Sequence, residues 1–249
     1  MRGGGLPSSL PQDDIPAART RRYAARVAPS RSDDYFDFLL ERAVSRPPGL
    51  AQDAVRVVAR NAARLWRTRF EGLDEVPQAG GALVASNHGS YLDHFFLACR
   101  IDRPVNFMAA AELFSNPMVG RLLSALGAFP VRRGAHDHAA MDAAEAIVRR
   151  GGLVVIYPQG GIRPSLDSRP KHGIGIVALA TGAPVVPAAI VDATKLHKAG
   201  FLRFRRLSVR FSAPLAEGPE QPVSEQDAER LTGEVWRRVV ELFGDGHRA

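Results

Sequence analysis

The sequence predicts a fold of the α/β class, and three observations support this prediction. Continuous apolar runs at residues 82–85, 153–157 and 184–191 have the length of strands that are buried on both faces. Helical patterns lie between such runs, most clearly at 141–150 and 171–181. The composition also permits a large core, because the 249 residues are 45% hydrophobic and 24% charged. Strands and helices that follow one another in this way are typical of a sheet covered by helices.

The N-terminal region differs from the rest of the chain. Residues 1–32 are rich in Gly, Pro, Ser and Arg, and we expect a disordered basic arm there. Amphipathic helices are predicted at 34–44 and 53–66, the second with arginines along one face. Such a helix either lies on a membrane surface or packs on the domain with its arginines in water. The predicted organisation is an arm at 1–32, helices at 33–64 and one domain at 65–249.

The predicted elements of this domain follow in order. A strand edge and turn at 69–77 precede a strand from Gly81 and a helix from Leu92. Further strands are predicted at 104–109, 127–134, 153–157, 184–191 and 206–211, the last as an edge strand because its residues alternate. Further helices are predicted at 112–126, 141–150, 171–181 and 224–243, the last beginning at Ser224 and ending before Gly244. The apolar face of 112–126 is interpreted as core, with an acyl-chain groove as the alternative.

The stretch 81–98 contains the most informative pattern. An apolar run from Ala82 turns polar at Ser86 and resumes as an apolar helical segment at Leu92. His88 therefore lies in a strand-to-helix turn, at the edge where an open α/β sheet presents a site. Asp93 reaches His88 only if the histidine lies in the turn and the aspartate in the first helical turn. In that arrangement the carboxylate orients one imidazole nitrogen and the other can take a proton from a hydroxyl, as in a catalytic triad without its serine.

Charge and cysteine content narrow the choice of partners and compartment. The net charge of +7 and the pI near 10.3 favour an anionic partner: nucleic acid, anionic lipid or a phosphorylated substrate. Nucleic acid is not expected, because no basic and aromatic surface motif accompanies the high pI. The single cysteine, Cys99, argues against a disulfide framework and a metal-ligand cluster. No apolar run is long enough to cross a membrane, so a cytoplasmic protein that acts on lipid from the membrane surface is expected.

Four short motifs occur in the order and spacing of one known family. They are NHGSYLD at 87–93, GAFPVRR at 127–133, YPQG at 157–160 and VVP at 185–187. Together they resemble the motifs of the PlsC-like glycerolipid acyltransferases, the lysophosphatidic acid acyltransferase family, over about residues 65–215. The resemblance implies a central mixed, mostly parallel sheet flanked by helices, with an N-terminal helical extension.

The resemblance also implies a reaction, O-acyl transfer without an acyl-enzyme. His88 would deprotonate an acceptor hydroxyl, Asp93 would orient the imidazole, and the alkoxide would attack the thioester of acyl-CoA or acyl carrier protein. Neither a metal nor a cofactor other than this co-substrate is implied. The expected acceptor is a lysolipid, in the first place 1-acyl-sn-glycerol-3-phosphate, at the inner face of the cell membrane. The residues whose motif positions imply substrate binding are Asn87, Ser90, Arg133, Gln159, Gly160, Gly161, Arg163 and Lys171.

The third motif departs from the family's usual Phe-Pro-Glu-Gly-Thr-Arg. Gln159 replaces the glutamate, and it keeps hydrogen-bonding capacity without the negative charge. Gly161 and Ile162 occupy the threonine and arginine positions, and Arg163 comes one residue late. These departures concern the acceptor more than the chemistry, and they leave two alternatives. One is an O-acyltransferase for another lysolipid or a glycolipid, and the other is a non-catalytic acyl-lipid binding protein.

Overall fold

The computed structural model describes residues 31–132, 137–163, 165–191, 207–219 and 222–248. The chain divides into two compact units, residues 1–35 and residues 36–249, and the whole sheet lies in the second. Residues 1–30 of the predicted arm lie outside the described residues. The predicted division into an arm, N-terminal helices and a domain therefore stays a prediction.

Seven α-helices and seven strands are found among the described residues. The helices are α1 Arg31–Ser45, α2 Leu50–Leu65, α3 Asp93–Ala98, α4 Pro117–Ala125, α5 His138–Arg149, α6 Gly173–Thr181 and α7 Glu225–Arg248, with short 3₁₀ turns at Leu73–Glu75 and Ala111–Phe114. The strands are β1 Arg69–Glu71, β2 Ala82–Ser86, β3 Val105–Ala110, β4 Ala128–Val131, β5 Leu153–Ile156, β6 Val185–Val191 and β7 Ser208–Phe211.

The strands form one mixed, mostly parallel sheet in the order β1-β7-β6-β2-β5-β3-β4. Only the β6–β7 pair is antiparallel. In the centre, Val84 of β2 lies opposite Val155 of β5 and Val186 of β6. The predicted fold class is confirmed. Because β2, β3, β4, β5 and β6 run in the same direction, the turns that follow them meet at one edge of the sheet.

Helices cover both faces of the sheet and make two buried clusters. On one face, Leu83 and Ala85 of β2 pack in a cluster with Ile147 of α5, Leu179 of α6 and Val235 of α7. On the other face, Val84 packs in a cluster with Ala63 of α2 and Leu97 of α3. Strand β2 is completely buried, as its continuous apolar run predicts. The turn after β2 therefore follows a fully buried strand in the interior of the sheet.

Two predictions about single elements were wrong. Strand β7 is not an edge strand, because β1 pairs with it in parallel, Phe70 opposite Val209, and forms the edge itself. Helix α7 does not end before Gly244 but continues to Arg248. One glycine in a helix costs about 1 kcal/mol, which packing of the helix elsewhere outweighs. The predicted start is correct, since the Asp227 N–H donates to Ser224 Oγ at 3.4 Å.

The apolar stripe at 112–126 was predicted to form core, but much of it is exposed. Phe114 is buried, but Leu113, Met118 and Leu122 are exposed, by 46%, 80% and 58%. The helix itself forms as its N-terminus predicts, because Asn116 Oδ1 accepts from Met118 N at 2.9 Å and Pro117 begins the first turn. The apolar stripe therefore predicts the helix correctly, but it does not predict how much of the apolar face is buried.

Candidate active site

The turn that carries His88 begins with a side chain that continues the sheet. Asn87 Nδ2 donates to the carbonyl oxygen of Ile190 at 2.9 Å, and Asn87 Oδ1 accepts from Ile190 N at 2.7 Å. The amide thus repeats the pattern of a strand pair between β2 and β6, one residue beyond the last paired residue, Ser86. Asn87 is 4% exposed and fixes where the turn starts. Its predicted contact with substrate stays a prediction.

The histidine and the aspartate are in direct contact. His88 Nδ1 lies 2.9 Å from Asp93 Oδ2, and the same oxygen accepts from the main-chain N–H groups of Gly89 and Ser90, both at 2.8 Å. Oδ2 is an acceptor, because the two main-chain N–H groups can only donate to it. Nδ1 therefore donates its hydrogen to Asp93, and Nε2 is the ring nitrogen left to accept a proton.

The Nε2 atom of His88 makes no hydrogen bond to any residue that the structure describes. The imidazole is 9% exposed, so only its tip is reached from outside. Asp93 is fully buried, and its second oxygen, Oδ1, has no hydrogen-bond partner within the described ranges. The arrangement is that of a general base with an orienting carboxylate.

Aromatic rings fix the plane of the imidazole. The Tyr157 ring stacks on His88 with centroids 4.3 Å apart and planes 20° from parallel, and His94 meets both rings edge-on at 5.1 and 5.0 Å. Burial, and to a smaller extent the neighbouring His88, lowers the pKa of His94 to about 3. Burial, with the Asp93 charge, raises the pKa of Tyr157. Both neighbours are thus uncharged near neutral pH, so they orient His88 without competing for its proton. Neither residue is among the predicted site residues, although Tyr157 begins the third motif.

The turn after β5 holds the main chain of His88 from both sides. The N–H of His88 donates to Gln159 Oε1 at 2.7 Å, and its carbonyl oxygen accepts from Arg163 N at 2.7 Å. Gln159 Nε2 donates to the Ser165 carbonyl oxygen at 2.8 Å, and Gln159 is 3% exposed. A glutamate could make the first of these two bonds but not the second. Gln159 is therefore a positioning residue for His88, and its predicted role in binding substrate stays a prediction.

Two cationic side chains flank the glycines of this turn. Gly160 has a φ of 68°, and a Cβ there would lie 2.8 Å from Cε and 3.1 Å from Nζ of Lys171. Glycine is required here both for the backbone angle and for the close approach of the lysine. Lys171 and Arg163 are exposed, and neither forms an ion pair with a carboxylate in the described part of the chain. The turn therefore presents uncompensated positive charge next to His88.

The remaining predicted site residues differ in their surroundings. Ser90 is fully buried and its Oγ accepts from Leu92 N at 3.2 Å, which shapes the turn. Gly161 is half-buried, and a Cβ there would meet nothing within 4 Å. Arg133 lies outside the described residues, so its predicted contact with a phosphate stays a prediction. Its neighbour Arg132 stacks over the Phe36 ring, with 4.0 Å between the guanidinium carbon and the centroid.

Two features are absent from the described residues, a group of side chains that could hold a metal ion and a helix that could span a membrane. Among the described residues, no three His, Cys, Asp or Glu side chains gather closely enough to hold a metal ion. No helix in the same ranges combines the length and apolar character needed to cross a bilayer.

Comparison with protein families and with known sequences gives consistent results. The family model described as Acyltransferase matches residues 67–191, which is half of the chain and includes both His88 and Gln159. A 1-acyl-sn-glycerol-3-phosphate acyltransferase of Bacillus subtilis is 32% identical over 117 residues, 47% of this chain and 58% of the relative. A chloroplastic 1-acyl-sn-glycerol-3-phosphate acyltransferase of Brassica napus is 28% identical over 142 residues, 54% of this chain and 40% of the relative. The chain thus spans about half the length of these relatives.

The fold also matches a solved structure. The 1-acyl-sn-glycerophosphate acyltransferase PlsC from Thermotoga maritima superposes with a TM-score of 0.54, covering 84% of this chain and 88% of that one. Sequence identity between the two is 21%, so this likeness concerns the fold.

Proposed function

Because this chain belongs to the PlsC-like acyltransferase family, we propose that it transfers a fatty acyl group from a thioester to a hydroxyl of a lysolipid. The observation that carries this proposal is the hydrogen bond between His88 Nδ1 and the buried Asp93, which leaves Nε2 as the accessible base. Within the described residues, no serine hydroxyl or cysteine thiol is hydrogen-bonded to the imidazole, which agrees with direct transfer.

The first step is proton transfer from the acceptor. The hydroxyl donates to His88 Nε2, and the imidazole becomes a cation that the Asp93 carboxylate stabilises across the 2.9 Å hydrogen bond. The main-chain N–H groups on Asp93 Oδ2 keep that carboxylate in place during the transfer. The stacked Tyr157 ring keeps the imidazole in the plane in which Nδ1 meets Asp93.

The second step is attack on the thioester. The acceptor oxygen forms a bond to the carbonyl carbon, and the resulting tetrahedral intermediate collapses with cleavage of the carbon–sulfur bond. The leaving thiolate takes the proton back from His88 Nε2. The products are an ester and a free thiol, and the enzyme returns to its neutral imidazole without net change.

The proposed acceptor is a lysophospholipid, in the first place 1-acyl-sn-glycerol-3-phosphate. The support is electrostatic: Arg163 and Lys171 are exposed cations at the turn that holds His88, and such side chains attract a phosphate to this turn. The names of the relatives from Bacillus subtilis and Brassica napus support the same acceptor.

The proposed donor is acyl-CoA or acyl carrier protein, and the proposed location is the inner face of the cell membrane. The net charge of +7 supports both parts of this proposal, because both donors and the inner leaflet are anionic. The exposed apolar residues of α4 add a surface that suits a lipid interface.

The test is thiol release from acyl-CoA and acyl carrier protein, with a panel of lysolipids and glycolipids as acceptors. Wild type should release thiol only when an acceptor is present, and His88→Ala should lower the rate by about 10²–10⁴. His138→Ala, which replaces an exposed histidine at the start of α5, is the matched control and should retain full activity.

The departures in the third motif favour one further candidate, an acceptor without a phosphate. Ile162 occupies the position of the family's arginine, and it adds no charge to the turn. Preference for an uncharged glycolipid, with activity unaffected by Lys171→Ala, would select this candidate. If wild type and His88→Ala bind acyl donors equally and no acceptor is turned over, the proposal of catalysis is wrong. The non-catalytic acyl-lipid binding protein then takes its place.

A further inference from the structure

A second region of interest lies at the amino edge of the sheet, opposite the His88 turn. One cavity of about 230 Å³ is lined by the α1–α2 connection and by the start of β4, and an adjoining cavity of about 170 Å³ is lined by the residues that precede β3 and β5. Both cavities share Pro47 and Asn106. We call the pair the amino-edge cleft. Since strands β3, β4 and β5 are parallel to β2, the whole sheet separates this cleft from His88.

All the charged side chains in the lining of the amino-edge cleft are arginines. Arg42 and Arg46 line the first cavity, Arg103 and Arg150 line the second, and neither cavity has an aspartate or glutamate in its lining. None of the four arginines forms an ion pair with a carboxylate in the described ranges. The cleft therefore contains an excess of positive charge that the protein itself leaves uncompensated.

Arg103 shows that part of this charge is buried. It is 8% exposed, and its guanidinium donates only to main-chain carbonyls: Pro77 at 2.8 Å, Gly80 at 2.7 Å and Gly151 at 2.5 Å. Arg150 donates to the carbonyl oxygen of Ala43 at 2.9 Å. Burial lowers the pKa of Arg103, which means that its charged form has lost hydration, whereas the Arg150 side chain is exposed. Buried charges in proteins are normally paired, and carbonyl dipoles alone do not neutralise them.

The two other arginines have donors to spare. Among the described residues, Arg42 donates only through Nε, to Ser124 Oγ at 3.1 Å, and the exposed Arg46 side chain makes no hydrogen bond there. Both lie at the C-terminal end of α1, whose dipole favours cations there, so the charges are stably placed. Asn106 adds a polar group to the wall, where its Nδ2 donates to Leu153 O at 3.2 Å.

From this arrangement we propose that the amino-edge cleft binds a phosphate-bearing anion. The planar guanidinium groups match phosphate oxygens, the cavities are large enough for a phosphate with a small substituent, and Pro47 and Pro48 supply an apolar wall for that substituent. The phosphate belongs either to a free metabolite or to a lipid headgroup, because the chemistry recognised is the same. This site is separate from the acyl-transfer site, and the proposal does not depend on that reaction.

The experiment uses the full chain without an acyl donor. Inorganic pyrophosphate is titrated into the protein by calorimetry, and in a second arm the protein is sedimented with phosphatidylglycerol or phosphatidylcholine vesicles. The test variant is Arg42→Ala with Arg46→Ala, and the control is Arg237→Ala with Arg230→Ala, which removes the same charge from the exposed face of α7. Circular dichroism and thermal unfolding check that both variants are folded.

We expect saturable binding that weakens at least about tenfold in the test variant and less than threefold in the control. Loss of pyrophosphate binding identifies a free phosphate as the ligand, whereas loss confined to phosphatidylglycerol vesicles identifies a headgroup. Absence of saturable binding in both arms, or equal weakening in the test and control variants, would overturn the proposal. Equal weakening would mean that net charge alone attracts the anion.

Discussion

Replacement of Gln159 by glutamate tests the role of this residue most directly, because the side chain keeps its length and loses one donor. The wild-type amide bridges His88 N and the Ser165 carbonyl, at 2.7 and 2.8 Å, in a site that is 3% exposed. A carboxylate there still accepts from His88. It also faces the carbonyl oxygen of Ser165 without a proton to donate.

The expected loss of stability follows from two contributions. The lost hydrogen bond to Ser165 costs about 1 kcal/mol, and burial of an incompletely paired carboxylate adds about 1–3 kcal/mol. We therefore expect Gln159→Glu to lower the free energy of unfolding by about 2–4 kcal/mol at neutral pH. For a domain of this size, at about 2–4 °C per kcal/mol, the unfolding midpoint should fall by roughly 4–16 °C.

The loss should depend on pH with a definite sign. Burial raises the pKa of the introduced carboxyl in the folded protein above its unfolded value of about 4.3. Once protonated, the group can donate to Ser165, so the wild-type pattern returns. The stability gap between wild type and variant should therefore be largest above the raised folded pKa and should shrink as the pH falls through it.

The assay is urea or thermal unfolding of wild type, Gln159→Glu and Gln159→Met between pH 5 and 8. Gln159→Met is the control: it removes both hydrogen bonds without adding an ionisable group, so its loss should not vary with pH. If Gln159→Glu is as stable as wild type at every pH, the two-sided hydrogen bonding of Gln159 does not hold His88.

Three further predictions concern other contacts. Asp93→Asn should lower kcat by about 10²–10⁴ in the thiol-release assay, and a loss below tenfold would remove Asp93 from the mechanism. Since burial lowers the pKa of His94 to about 3, its neutral form stabilises the fold fully above pH 6.5 and loses this effect as the pH falls towards 3. At pH 5 the loss reaches about 2 kcal/mol, so unfolding of His94→Phe should depend less on pH between 5 and 7, and an unchanged slope would contradict the argument. Gly175→Ala places a Cβ 2.2 Å from the Ala228 carbonyl oxygen and should cost more than about 2 kcal/mol in urea unfolding. Gly233→Ala, with nothing within 4 Å, should cost nothing, and similar behaviour of the two would show that α6 and α7 do not pack closely.

The fold and the catalytic pair were predictable because local patterns determine them. The apolar run of β2 and the helical segment from Leu92 place His88 in a turn, and from there the short interval to Asp93 permits the contact that the structure shows. The position of β7 inside the sheet was not predictable in this way. Alternation along a strand reports the environment of its two faces, and it does not report whether a three-residue strand such as β1 pairs at its side.

The role of Gln159 was not predictable for a different reason. Its partner is the main-chain N–H of His88, 71 residues earlier, and every non-proline residue has such a donor. The same holds for Asn87, whose amide pairs with the backbone of Ile190 across 103 residues. Motif resemblance marked both residues as part of the site, but it did not distinguish a residue that binds substrate from one that shapes the turn.

The two main-chain hydrogen bonds of His88 link the position of the base to the stability of the turn after β5. Gln159 and Arg163 belong to the turn after β5, which is exposed at Gly160 and Arg163, while β2 belongs to the fully buried centre of the sheet. Local opening of a turn requires much less free energy than global unfolding, so the base is held by the less stable of its two supports. Mild denaturant or heat should therefore abolish turnover while the sheet remains folded. A phosphate that engages Arg163 would raise the free energy of this opening, and acceptor binding would then order the base that acts on it.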